Sequence, residues 1–321
     1  MLKIKIFFSI VLFSLTLSSC GDENKEKAEL NSSSRPKIAL IMKSLANEFF
    51  VTMADGATAH QSANRDKYDL IVNGIKNETD LAQQVNLIDQ MISAGVDAIV
   101  IAPADSKAII PALARVRDAD IKVINIDNQL DKNILDQYEL SIPFVGPDNF
   151  IGAKKVGDYL AEQLNAGDQV AILEGVTTAY NSQQRTAGFK KAMEDGGFGL
   201  VADQSADWDQ TKAVSVTSAI LIQYPKLAAI LCANDSMALG AVAAINQAGK
   251  AGKVKVVGFD NIPAVRQLLE NGTLIATADQ HADLLAVYGI EYALEMIGGT
   301  NDLTDRATPV DLITRDNLNF K

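Results

Sequence analysis

The chain has 321 residues, 48 % of them apolar, with a formal net charge of −11 and a pI near 4.7. The apolar share is ample for real cores, and the negative balance repels phosphate backbones, which argues against nucleic-acid binding. About 285 residues of body suit two domains better than one.

Lys3 and Lys5 give a positive start, and Ile6 to Leu17 is an apolar run too short to span a bilayer and right for a signal-peptide core. Leu17-Ser18-Ser19-Cys20 then resembles a bacterial lipobox, with Cys20 the acceptor of a lipid and the first mature residue. An ordinary secretory signal with a chance cysteine is the alternative. Residues 1–20 are therefore read as a signal peptide. Residues 21–35 (GDENKEKAELNSSSR) are almost devoid of apolar side chains and are read as a tether that would reach roughly 20 Å as a flexible coil. Lipid on Cys20 would hold the body at a membrane, and stable anchoring calls for more than one acyl chain. Cys232 is then without a partner and, inside an apolar run, reads as a small buried thiol.

Lys37 to Met42 is a short β-branched strand, and Asn47 opens a helix. Tyr68 to Val72 is a second strand. Thr79 caps the next helix, where Leu81, Val85, Ile88 and Ile92 recur at helical spacing until Gly95. The strand Asp97 to Ile101, a helix from Ser106 and the strand Lys122 to Ile126 complete a first run. Asp131-Lys132-Asn133 has calcium-like oxygens without the glycine and glutamate spacing, and reads as a solvated loop.

The pattern restarts near Gly146. Helices are predicted from Asn149 to about Asn165, Gln183 to Glu194, Thr211 to Gln223, Asp235 to Ala248 and Pro263 to Leu269. Between them lie strands at Gln169 to Leu173, Gly199 to Asp203, Ala228 to Cys232 and Val254 to Gly258. Apolar strands alternating with helices imply parallel sheets buried on both faces. The fold class is α/β, as two similar parallel-sheet lobes.

Function in such sheets sits beyond the carboxyl ends of the strands. Those positions carry Lys43, Asn47, Phe49 and Phe50, then Asp127 and Asn128, then Asn181 and Gln183, then Trp208, Asn234 and Asp260. The set is amides, carboxylates and aromatics. It suits a polyol, whose hydroxyls donate and accept and whose apolar faces pack on rings. Bland readings stand beside it. Asn47 and Asn234 also suit plain helix caps, Phe49 and Phe50 suit core, and Asp260 suits a turn. There is no GxSxG, P-loop or GxGxxG, and His60 and His281 lack metal-ligand spacing. No cofactor, no metal and no catalysis are expected. An acid–base pair would have to come from Asp207 and Asp209, which flank Trp208 without implying chemistry.

Taken together, KSLANEFF (43–50), GVDAIVIAPADS (95–106), VINID (123–127), FVGPDNFIGA (144–153), RTAGF (185–189), SADWD (205–209), ANDSMALGA (233–241), VVGFDN (256–261), ATADQ (276–280) and TPVDL (308–312) are specific. From about Pro36 to its end the chain is similar to periplasmic sugar-binding proteins of the ribose-binding type. The resemblance implies two α/β lobes joined by a three-segment hinge, the first from 36–147 plus 281–311 and the second from 148–280 plus 312–321. It implies a monomer that closes on a monosaccharide or cyclic polyol and delivers it to an ABC-transporter permease. Presentation of the sugar to a chemoreceptor or sensor kinase would use the same body.

By motif, Asn47, Phe49, Phe50 and Asp127 line the first lobe, Trp208 takes the place of an aromatic ring, and Asn234, Asp260 and Gln280 contact ligand. Three departures weaken the case for ribose. Asn128 and Gln183 stand where the ribose binder has arginines, and Lys43 replaces a small hydroxyl residue. A hexose, inositol or amino sugar is equally open, and Arg185 suits either a ligand contact or a structural residue. Asp127→Ala and Asp260→Ala are expected to weaken binding while leaving stability nearly unchanged.

Overall fold

The computed structural model describes residues 35–300 and 302–318. The expectations for the signal peptide, Cys20 and the tether up to Ser34 lie outside the described residues. No helix among the described residues is long and apolar enough to cross a membrane.

The chain begins with β1 (Lys37–Ser44), α1 (Glu48–Ala63), β2 (Asp69–Ile75), α2 (Leu81–Ser93), β3 (Ala98–Ile101), α3 (Ile110–Asp118), β4 (Lys122–Ile126), α4 (Lys132–Gln137) and β5 (Phe144–Pro147). It continues with α5 (Asn149–Ala161), β6 (Gln169–Glu174), α6 (Tyr180–Asp195), β7 (Gly199–Ser205), α7 (Gln210–Gln223), β8 (Leu227–Cys232), α8 (Asp235–Gln247) and β9 (Lys255–Val257). A 3-10 turn at Pro263–Val265 precedes α9 (Arg266–Glu270) and β10 (Ala276–Asp279). The described chain closes with α10 (Ala282–Ile297), β11 (Arg306–Thr308) and β12 (Asp311–Thr314).

These strands form two sheets, in the orders β11-β5-β4-β3-β1-β2 and β12-β10-β9-β8-β6-β7. Every pairing is parallel except β10 with β12. The fold is thus two α/β lobes. The chain passes between them after β5, after β10 and after β11. Ile38 to Met42 are fully buried, as a parallel strand covered by helices on both faces requires. α10 returns to the first sheet. There Gly289 lies so near it that a Cβ would fall 2.7 Å from Val100 and 2.8 Å from Ile126. Cys232 is fully buried at the end of β8, and burial pushes its thiol well above the usual range.

Several local expectations give way to side-chain geometry. Asp80, not Thr79, caps α2, accepting from Gln83 N at 3.1 Å. Asp131 is no open loop; it caps the short α4 through Ile134 N. α3 begins at Ile110 rather than Ser106, α5 stops at Ala161, and α6 begins at Tyr180 rather than Gln183. The last shift adds nearly a turn to α6 and so fixes which of its residues face the other lobe.

Candidate functional site

The carboxyl ends of both sheets face one another over a cleft. From the first lobe, Lys43 comes from the carboxyl end of β1. Asn47 caps α1 by accepting from Phe49 N at 3.1 Å, and this cap aims Phe49 and Phe50 inward, their rings edge-to-face with centroids 5.0 Å apart. Asp127 follows β4. From the second lobe, the first turns of α6 carry Asn181 and Arg185, Trp208 follows β7, Asn234 caps α8, Asp260 follows β9, and Gln280 follows β10. With Glu78 beyond β2, these residues line one tight cavity.

The turns that deliver them are strained. Asp127 (φ 61), Trp208 (φ 64) and Asp260 (φ 118) all have left-handed backbones. Aspartate tolerates this region, whereas tryptophan does so rarely, at a cost of about 1–3 kcal/mol per residue. Trp208 is held there by packing. Its ring sits against Gly175, where a Cβ would meet it at 2.1 Å, and only 5 % of the residue is exposed. The ring is therefore at once core and cleft wall.

Charges in the cleft are paired within each lobe. Lys43 Nζ lies 3.1 Å from Asp127 Oδ2 and 3.9 Å from Glu78 Oε2, and reaches across to the Trp208 ring at 5.6 Å from its centroid. Arg185 donates to Asn149 Oδ1 (2.8 Å), Ala233 O (2.9 Å) and Asp260 Oδ1 (3.2 Å), with its guanidinium 3.8 Å from the Phe259 ring centroid. Gln280 donates to the same Asp260 oxygen at 2.7 Å. Burial pushes the Glu78 carboxyl up, against the pull of Lys43. It pushes Asp260 up to about 7, because desolvation outweighs the attraction of Arg185. Beneath the floor, Asp235 is buried beside Asp260 and raised well above the carboxylate range. It accepts from Thr277 Oγ1 at 2.8 Å and Ile262 N at 3.0 Å, which ties down the Asp260 turn.

Three acceptor atoms at this cavity are buried without a hydrogen bond: Asp127 Oδ2 and Glu78 Oε2, which both face the Lys43 ammonium, and Gln280 Oε1. A buried amide oxygen without a partner is costly, and carboxylate oxygens held by one cation keep lone pairs free, so the cavity has acceptor capacity beyond what its own donors fill.

Two sequence-derived candidates are not brought into this lining. Gln183 is exposed and donates to Thr177 O at 2.9 Å. It lies two residues from both Asn181 and Arg185, and residues two apart on a helix do not share a face. Asn128 is buried behind Asp127, donating to Pro103 O at 2.9 Å. Neither aspartate beside Trp208 lines the cavity: Asp207 pairs with Lys212, and Asp209 caps α7. Glu78 and Asn149 escaped the sequence reading. Glu78 follows a strand by the same rule that found the others, and Asn149 stands in the quoted segment 144–153 as the residue that orients Arg185.

Two α/β lobes whose facing strand ends meet on a polar and aromatic cavity define a binding protein for a small solute. Residues 38–301 match the family described as periplasmic binding protein domain, and the chain belongs to that family. It is 51 % identical to the D-ribose/D-allose-binding protein of Pseudomonas aeruginosa over 94 % of this chain and 93 % of that one. Among solved structures, an ABC transporter solute-binding protein from Burkholderia multivorans, holding an unknown ligand represented as α-D-erythrofuranose, shares 55 % identity. It has a TM-score of 0.86 and covers 88 % of this chain and 100 % of its own. A periplasmic solute-binding protein from Actinobacillus succinogenes with bound D-allose shares 36 % identity, with a TM-score of 0.84, over 89 % of this chain and 100 % of its own. The architecture is the type I periplasmic binding protein fold.

Proposed function

We propose that the chain captures a neutral monosaccharide between its lobes and hands it to the permease of an ABC importer, acting as a monomer without catalysis. The observation that carries this reading is the acceptor capacity left on Gln280 and on the Lys43-paired carboxylates of Asp127 and Glu78, facing Phe49, Phe50 and Trp208. Sugar hydroxyls are donors for the former, and apolar sugar faces pack on the latter. D-allose and D-ribose are the first candidates, since relatives are named for them or hold allose.

A thermal-shift screen of D-allose, D-ribose, other hexoses, myo-inositol and amino sugars tests the reading. The cognate sugar at 100 times its dissociation constant should stabilise the fold by about 2.7 kcal/mol. A panel in which no sugar raises the melting temperature would overturn it.

We further infer a lipid on Cys20, supported by the basic start, short apolar core and polar tether that precede the body. Cys20→Ser should move the protein from the membrane fraction to the soluble periplasm with its melting temperature unchanged. Mass spectrometry of the membrane-bound native protein showing an unmodified Cys20 would refute this.

A further inference from the structure

The start of α6 is held from the opposite lobe. A helix leaves its first amides without internal partners, and most helices here meet that need with their own cap residue, as Asn47, Asp80, Asp148, Asp209 and Asn234 do. The cap residue of α6 is Ala179, which has no side-chain acceptor. Instead Tyr180 N donates to Ser106 Oγ at 2.9 Å, and Asn181 N donates to Asn128 Oδ1 at 3.2 Å. Ser106 follows β3 and Asn128 follows β4, so both acceptors belong to the first lobe and both donors to the second.

The acceptors are prearranged. Ser106 Oγ donates to Asn128 Oδ1 at 3.2 Å, Asn128 Nδ2 donates to Pro103 O at 2.9 Å, and Asn125 Nδ2 donates to Asn128 O at 2.8 Å. Ser106, Asn128 and Asn181 are all nearly inaccessible to solvent. At the edge of the contact, Thr178, just before α6, hydrogen-bonds the Asp105 side chain of the first lobe. One turn of one lobe is thus read by one pair of loops of the other. The same helix carries Asn181 and Arg185 into the cleft, so holding its end also sets the position of two cleft residues.

We propose that Ser106 and Asn128 cap α6 across the cleft when the lobes close, and that this cap in trans is a positioning device that raises ligand affinity without touching the ligand. Separation of the lobes leaves the amides of Tyr180 and Asn181 uncapped. Closure restores two hydrogen bonds at a helix terminus, and that gain adds to whatever the sugar itself contributes. The proposal rests on the sugar-closure reading of the cleft.

Hydrogen exchange of the full chain, read at residues 178–183 with and without D-allose, tests it together with calorimetry. The sugar should slow exchange at Tyr180 and Asn181. Ser106→Ala should abolish the protection at Tyr180, whose amide it accepts, and weaken D-allose binding roughly tenfold. Ser106→Thr, which keeps the hydroxyl, should restore both. Ala179→Ser, which offers α6 a cap of its own for the N2 or N3 amide, should protect Asn181 with or without sugar. A role confined to the fold of the first lobe would lower melting temperature and leave exchange at Tyr180 and Asn181 alone. If D-allose binds and protects the Asn234 turn but not Tyr180 and Asn181, or if Ser106→Ala binds like wild type, the trans cap is overturned while the sugar reading stands. If D-allose does not bind and protects nothing, the closure reading has failed and the role of the cap in affinity falls with it.

Discussion

Asp260→Ala is expected to lose both sugar affinity and fold stability. The carboxylate is the acceptor that a ligand hydroxyl would meet, and loss of one hydrogen bond to a charged group costs about 1.5–3 kcal/mol, or roughly 10- to 150-fold in affinity. Its second role is visible only in three dimensions. Asp260 is the charged partner of Arg185, which is 2 % exposed. Removing one member of a buried pair strands the other, typically at about 3–5 kcal/mol. The expectation from sequence that stability would hardly change is therefore revised. The bonds of Arg185 to Asn149 and Ala233 soften the loss, which places it toward the lower end of that range.

The same pair has a pH signature. Burial raises the Asp260 carboxyl to about 7. The folded state then binds this proton more tightly than the unfolded chain, so the contribution of the group to stability is present at low pH and is lost as pH rises from about 4 toward 7. Asp260→Asn should remove that downward slope from the stability profile of the ligand-free protein. Calorimetric melting of both proteins between pH 4 and 8 reads it directly. Superimposable slopes, or an alanine variant with wild-type affinity, would dismiss the assignment of Asp260 to the cleft floor.

Trp208→Ala should have the other large effect. The ring packs on Gly175 from one side and walls the cavity on the other. Truncation of a buried tryptophan costs about 3–5 kcal/mol, and the void would open directly into the cleft. A sugar would lose its stacking surface at the same time, so affinity and melting temperature should fall together. Trp208 is the only tryptophan in the chain, and Lys43 of the opposite lobe lies 5.6 Å from its ring centroid. Lobe separation moves that charge away from the indole, so intrinsic emission should shift when sugar closes the cleft. Saturable binding heat with an unchanged emission spectrum would show that the ring is core alone.

The alternation of apolar strands with helices was legible from the residues, because a parallel sheet covered on both faces needs continuous apolar strands and its helices need one apolar stripe. The rule that function lies beyond the carboxyl ends of strands pointed to Lys43, Asn47, Asp127, Trp208, Asn234 and Asp260, which the fold brings to the lining of one cavity. It would have found Glu78 had the segment after Val72 been treated in the same way. Element ends were less legible. A cap is decided by which oxygen reaches an amide, and Thr79 and Asp80 are equally plausible until the turn is built.

Residue order by itself determined the two α/β runs, the acidic character, and the chemical inventory of amides, carboxylates and rings. Those follow from periodicity and composition, which are local properties of the chain. Tertiary structure alone decided the pairings. It joined Arg185 to Asp260 across 75 residues of chain and turned Gln183 away on the helix. It withdrew Asn128 from the cavity and set it against α6 of the other lobe. Such contacts depend on the relative placement of sheets built from distant segments, and no local pattern carries that distance.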